Sequence, residues 1–338
     1  MRVGKIPPKV LETCVLPYLG QRRPEVLVHS GLGVDSAVVD LGDALCVLSS
    51  DPITGATRNL GWLAVNVSCN DLAANGAEPI GVMVTLLATE STTENDLEQI
   101  MKDIHRACLE LHIEVLGGHT EITQGLPAPI LSMTAVGKAV GGSIVTSMGA
   151  KVGDDLLLTK AAGLEGTAVL ASDFEGELLA CVDQPTVERA KALINRISVV
   201  PEGIAAASFG ASAMHDVTEG GVLTALFEMA VASGVGVEVW ADRIPVLPET
   251  RAVCHFFAID PLSLVSSGAM LIATPNGTAL VGELAAQGVP ASVIGRVREG
   301  GLVLHRDGRR EEIVPAERDE LWRVLEARGQ GAGSRGAR

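Results

Sequence analysis

The chain has 338 residues, 47% hydrophobic and 20% charged, with a formal net charge of -15. Its length allows two domains, and acidity spread over both halves without a basic stretch argues against nucleic acid or an anionic membrane as partner. With aromatics at 3% the core falls to Val, Leu, Ile and Ala, and stacking on bases is excluded as the main mode of recognition.

The six cysteines, Cys14, Cys46, Cys69, Cys108, Cys181 and Cys254, include no Cys-x-x-Cys pair. A zinc site or disulfide scaffold is therefore not expected, and a reducing cytoplasm is. No signal-peptide core follows Met1, and Asp71 and Glu78 interrupt the apolar stretch 61–88, so no membrane span is expected.

In chain order, Pro7 and Pro8 open a helix predicted over 10–19. Strands over 36–41 and 44–50 are joined by Gly42-Asp43, a hairpin signal. Asn59 caps a helix running to Ala74, stopped by Asn75-Gly76. A buried strand covers 79–88. Thr93 to Asp96 reads as a capping box opening an amphipathic helix to His112, and strands follow over 113–116 and 130–139. The loop 141–153, rich in glycine and small residues, marks a boundary between a first domain (1–150) and a second (151–328). The second domain is expected to hold a strand over 155–159, helices over 164–172 and 186–209, a strand over 211–214 and a helix over 222–230. Strands over 235–240, 269–273, 291–297 and 302–305 and a helix over 315–328 complete it, and 329–338 reads as a disordered tail. Strands and helices in each half indicate two α+β domains.

Five stretches depart from core patterning. Ser30-Gly31-Leu32-Gly33-Val34-Asp35-Ser36-Ala37 delivers a carboxylate from a glycine-rich bend. Ser49-Ser50-Asp51-Pro52 places another at the end of an apolar strand, where it also reads as a simple turn. The helix over 59–74 is apolar yet carries Asn66, Ser68, Asn70 and Asp71, and a carboxylate on such a helix needs a partner. Leu116-Gly117-Gly118-His119-Thr120-Glu121 ends a strand in two glycines, a turn or a nest of N–H groups for phosphate. His215-Asp216-Val217-Thr218-Glu219-Gly220-Gly221 runs from a strand into a helix start, where an anion meets backbone N–H groups and a carboxylate faces a metal; ordinary capping explains it equally.

Were Asp35, Asp51, Asp71 and Asp216 to converge, each pair about 4 Å apart would repel by roughly 4 kcal/mol at an effective dielectric near 20. A divalent cation is the remedy, and hard oxygen ligands favour Mg2+. Glycine turns for phosphate then make a Mg2+-nucleotide the natural ligand. No Gly-x-x-x-x-Gly-Lys-Ser/Thr loop or kinase signature supports the common nucleotide folds.

The ordered set of motifs resembles the aminoimidazole ribonucleotide synthetase-like (PurM-like) superfamily, which includes thiamine-monophosphate kinase, selenophosphate synthetase and the hydrogenase maturation protein HypE. The resemblance rests on Gly33-Val34-Asp35-Ser36-Ala37, Ser50-Asp51, Asn70-Asp71-Leu72-Ala73, Gly76-Ala77-Glu78-Pro79 and Gly117-Gly118-His119-Thr120. In the second half it rests on the heptapeptide His215 to Gly221, on Asp260-Pro261-Leu262 and on Ser266-Ser267-Gly268, so that it covers about 5–297. The heptapeptide followed by Ile244-Pro245 looks most like the HypE branch.

This resemblance implies a two-domain fold: an N-terminal α/β domain pairing through strands in a homodimer, and a C-terminal α+β sandwich-like domain. It implies ATP bound at the dimer interface and Mg2+ held by Asp35, Asp51, Asp71 and Asp216. Nucleotide contacts would come from Gly33, Asp35, Asp51, Asn70, Asp71, Gly117, Gly118, Thr120, Gly220 and Gly221. An oxygen, often of an amide or carbonyl, would attack ATP, on a small molecule or on a group carried by a maturation protein. The alternatives are a small-molecule kinase resembling thiamine-monophosphate kinase, or a nucleotide-sensing scaffold with little turnover. Two residues depart from the pattern. HypE proteins carry a C-terminal cysteine, whereas the last cysteine here is Cys254; and His119 stands where thiamine-phosphate kinases have aspartate, so that either one metal ligand is missing or Glu121 substitutes for it.

Overall fold

A computed structural model describes residues 8–31, 34, 36–53 and 59–328. The first half comprises α1 (Pro8–Cys14), β1 (Val26–Val28), β2 (Ala37–Asp40), β3 (Leu45–Ile53), α2 (Leu60–Ala74), β4 (Ala77–Ala88), α3 (Glu94–Leu111), β5 (Glu114–Ile122) and β6 (Ile130–Ala139). Its six strands form one sheet in the order β1-β2-β3-β6-β4-β5, antiparallel except for the β4–β5 pair. The second half comprises β7 (Asp155–Thr159), α4 (Leu164–Asp173), α5 (Glu175–Leu178), α6 (Gln184–Ala192), α7 (Val200–Phe209), β8 (Ala213–Asp216) and α8 (Gly221–Ser233). It continues through β9 (Gly236–Trp240), α9 (Pro248–Phe257), β10 (Met270–Thr274), α10 (Gly277–Ala286), β11 (Ala291–Arg298), β12 (Leu302–Arg306), β13 (Arg309–Glu312) and α11 (Glu320–Ala327). These strands form a seven-stranded sheet, β13-β12-β9-β11-β7-β10-β8. The architecture is the expected α+β one, with one sheet in each half.

Helix α2 is apolar on every side, and all but one of its residues are buried. Such a helix is stable only inside a protein. It packs on β3 and β6 of its own sheet, on α3, and on α7 and β8 of the second half. Helix α3 is its opposite, an amphipathic surface helix. The Thr93 hydroxyl accepts the Asp96 N–H while the Asp96 carboxylate accepts the Thr93 N–H, closing the expected capping box. Ala73 and Ala74 share one hydrophobic cluster with Leu157, Met270 and Ile272, so the two sheets are joined by a common core. No helix among the described residues is long and apolar enough to cross a membrane.

Four expected elements differ. The helix predicted over 10–19 stops at Cys14 and gives way to a short 3-10 turn at Leu16–Tyr18, because Pro17 cannot supply the N–H that a continuing helix requires. The helix predicted over 186–209 breaks between α6 and α7, where Pro201 restarts it and Val199 turns its N–H outward to a side chain of α2. The strand predicted over 113–116 runs on to Ile122, through both glycines. The last helix begins at Glu320 rather than at 315, with Asp319 as its cap.

Candidate functional site

Asp71 stands on α2 with 6% of its surface exposed. Its carboxylate accepts the Ser49 hydroxyl from β3, and its backbone carbonyl accepts the Ser36 hydroxyl at 3.0 Å. Ser36 directly follows Asp35 in sequence, and Ser49 lies two residues before Asp51 on the same face of β3, the face turned toward α2. Serine hydroxyls thus bring the Asp71 turn of α2 against the stretches that carry two of the other expected acids. Gly33 and Asp35 themselves lie outside the described residues. The oxygen-only donors at this corner suit a hard cation such as Mg2+. Among the described residues no three His, Cys, Asp or Glu side chains form a group able to hold a metal ion, so Asp51, Asp71 and Asp216 are not already drawn into one cluster.

The stretch 117–120 departs from expectation. Gly117 and Gly118 form no turn: both lie within β5, the edge strand, with Thr120, His119 and Glu121 exposed. Gly118 is glycine for a packing reason, since a Cβ there would run into the Val84 carbonyl of β4. Register sets its distance from the acids. Asp51 pairs with Met133, Met133 with Val84, and Val84 with Gly118, so three strand spacings, about 14 Å, separate Asp51 from Gly118. One phosphate group cannot touch both in a single chain. His119 Nε2 lies 3.1 Å from Glu121 Oε2, and hydrogen bonds from Thr123 and then His119 hold the Glu121 carboxyl below its ordinary range.

Asn70, expected as a nucleotide contact, joins the two halves of the chain. It is fully buried, and its amide bridges to the other half of the molecule: Nδ2 donates to the Ile197 carbonyl and Oδ1 accepts the Val199 N–H, each at 2.8 Å. The residue caps the break between α6 and α7. Lys160 holds the same loop from the other side, donating to the Ser198 carbonyl at 2.6 Å, to the Gly268 carbonyl at 2.9 Å and to the Glu202 carboxylate. Burial lowers the Lys160 pKa, although the Glu202 charge opposes that shift.

Asp216 ends β8 opposite Met270 and is buried. Before it, His215 Nε2 lies 3.0 Å from Glu228 Oε2 of α8. The glycines that follow are left-handed, Gly220 at φ 81 and Gly221 at φ 63, and a Cβ on Gly221 would come within 2.6 Å of the Leu262 carbonyl. Their N–H groups do not form an open phosphate cradle. Gly220 donates to Asp319 Oδ2 at 2.6 Å and Gly221 donates to the Thr218 carbonyl at 3.1 Å. The negative end that this helix start attracts is supplied by the chain itself.

Asp319 was not expected from the sequence, nor was Trp322, whose indole N–H donates to Glu219 Oε1 at 2.8 Å. Burial raises the Asp319 carboxyl to about 6 against three backbone N–H bonds that oppose the shift. Burial also lifts Glu165, at the start of α4, to about 7, with Asp319 and Glu219 adding repulsion. The available signal was the helix-start pattern Asp319-Glu320, which shows a cap without showing that the cap serves a second helix.

Comparison with known proteins agrees with this architecture. The model of the AIR synthase related protein N-terminal domain matches residues 33–139, and that of the C-terminal domain matches residues 151–307. A putative hydrogenase expression/formation protein of Methanocaldococcus jannaschii is 30% identical over 278 residues, 78% of this chain and 79% of that protein. The carbamoyl dehydratase HypE of Rhizobium leguminosarum bv. viciae is 28% identical, covering 78% and 77%. The crystal structure of a hydrogenase maturation protein HypE in complex with ATP shares the fold at a TM-score of 0.72 and 20% identity, covering 93% of this chain and 95% of that one. A HypE-HypF complex matches at a TM-score of 0.73 and 22% identity, covering 83% and 93%. The chain belongs to the AIR synthase-related family, in its HypE branch.

Proposed function

We propose that the chain is an ATP- and Mg2+-dependent enzyme that transfers the γ-phosphoryl group of ATP to an oxygen of a carboxamide-type group, a reading supported by relatives named carbamoyl dehydratase. The observation that carries this is the Asp71 corner: a buried residue on a buried helix, its carboxylate held by Ser49 two residues before Asp51 and its backbone carbonyl by Ser36 next to Asp35. Asp35, Asp51, Asp71 and Asp216 would hold Mg2+, which supplies neutralisation of phosphate charge. The chain's own task is to fix the phosphates and to aim the attacking oxygen in line with the departing ADP. The oxygen–phosphorus bond forms as the bond to ADP breaks. Loss of inorganic phosphate together with the amide protons then completes a dehydration.

The acceptor is expected on a small molecule or on a group presented by a maturation partner. Cys254 is no carrier thiol: it is buried in α9, and desolvation pushes its pKa up to about 12. A small-molecule kinase is the second reading, favoured by that same inaccessible thiol. We place the protein in the cytoplasm as a homodimer. The outer face of the first sheet exposes Ile80, Met83 and Leu116 beside the unpaired edge of β5, an apolar surface suited to a second copy.

The test is incubation of pure protein with ATP, Mg2+ and a panel of carboxamides and alcohols, followed by phosphorus NMR and mass spectrometry. Phosphate release or a phosphorylated product is expected, and Asp71→Asn should slow it by about 100-fold or more, the scale of losing one charge-stabilising group. Unchanged turnover in that variant would remove Asp71 from the mechanism.

A further inference from the structure

Residues 316–322 tie the last helix and its lead-in to the heptapeptide through two hydrogen bonds and to the first turn of α8 through a third. The Asp319 carboxylate serves two helices, accepting the Leu321 N–H of α11 with Oδ1 at 2.7 Å and the Gly220 N–H at the start of α8 with Oδ2 at 2.6 Å. Trp322 Nε1 donates to Glu219 Oε1, and the Ala316 N–H donates to the Thr224 hydroxyl at 3.2 Å. On the other side of the turn the Val217 N–H meets the Ala269 carbonyl at 3.0 Å, continuing the β8–β10 pairing. Asp216 therefore lies between a sheet, which fixes it from one side, and a turn whose Glu219 and Gly220 are both held by α11.

We propose that Asp319 and Trp322 are positioning residues: they hold the 217–220 turn so that Asp216 presents its carboxylate at the angle the Mg2+-ATP site requires, an inference that rests on the function proposed above. Neither residue touches the reacting atoms. Their effect passes through Glu219 and Gly220, as outer partners of a metal ligand act through the ligand they orient. A helix far along the sequence from the Asp71 corner thereby becomes part of the same machinery. Anchoring at two adjacent residues removes the turn's freedom to rotate about either one.

The experiment compares Asp319→Ala, Trp322→Phe and Asp319→Asn with Arg328→Ala. Arg328 lies just beyond the end of α11, pairs with Glu177 and sits 5.2 Å over the Phe257 ring, so its loss loosens the helix without touching the heptapeptide. Half-saturating Mg2+ at fixed ATP should rise about tenfold in Asp319→Ala and in Trp322→Phe, the low end of what outer-shell losses cost a metal site. Asp319→Asn keeps one acceptor oxygen for these N–H groups and should recover part of the loss. Arg328→Ala should lower the melting temperature and leave the Mg2+ requirement unchanged. Amide exchange over 217–221, measured without nucleotide or metal, should quicken in the first two variants and not in Arg328→Ala. Equal Mg2+ requirements in Asp319→Ala and Arg328→Ala at equal melting temperature would overturn the proposal. A wild-type protein with no Mg2+-dependent ATP chemistry would instead overturn the function beneath it, while the exchange result would still report on the strap.

Discussion

Replacing Asn70 by alanine separates a structural amide from a nucleotide ligand. The substitution leaves the Ile197 carbonyl and the Val199 N–H without partners in a site closed to solvent. Each orphaned group costs about 1–3 kcal/mol, and partial relaxation of the loop brings the pair to about 2–4 kcal/mol. Unfolding entropy near 2.1 cal/mol/K per residue gives roughly 0.7 kcal/mol/K for a chain of 338 residues. The expected fall in melting temperature is therefore about 3–6 °C. Scanning calorimetry without ligand, then with saturating Mg2+-ATP, is the assay. If Asn70 clamps the two halves, the loss is present without ligand and the ATP-induced stabilisation is preserved. A variant that melts within 1 °C of wild type alone and loses only the ATP-induced shift would refute the reasoning and return Asn70 to the nucleotide.

Three further outcomes are expected. Lys160→Met strands the Glu202 carboxylate, which is fully buried, and should cost about 3–5 kcal/mol in denaturant unfolding, with Lys160→Met/Glu202→Leu recovering much of it. Glu165 and Asp319 have folded pKa values of about 7 and about 6, above their ordinary values. The folded state thus keeps protons that the unfolded chain has already released, and this stability is present in acid and lost as pH rises through 6–7. Melting curves across pH 5–8 should show that loss, and Glu165→Gln should flatten it. Gly118→Ala should destabilise by about 2 kcal/mol or more, because the new methyl group meets backbone rather than a movable side chain; soluble yield and chemical denaturation report it.

Much of the site's first half was legible in sequence because its signals are local. The hairpin, the capping box at Thr93 and the single acid on an apolar helix each follow from a few adjacent residues. Ser36 and Ser49 were not singled out, because a serine that orients a distant carboxylate looks like any other serine. The glycine pair in β5 misled for a related reason. Glycines interrupt the alternation that marks a strand, and only the register with Val84 shows that close backbone approach, not a bend, requires them. Asn70 stood out because a polar group on a buried helix needs a partner, and backbone from 127 residues further along supplies one, which no local pattern shows. The heptapeptide glycines look open to an anion until Asp319, 99 residues downstream, is found on the Gly220 N–H.

The cluster that runs from Ala73 through Val199 to Met270 has a consequence for how the molecule comes apart. Two sequence segments and two sheets would ordinarily melt as two units, each with its own heat-absorption peak. Here α2 is clad by residues of both segments, so removing either one uncovers the other's interior. The energetic unit is the whole chain: calorimetry should record one cooperative transition, and either half produced alone should expose a face that associates or aggregates. Exchange of one half between relatives would succeed only where the residues facing α2 travel with it.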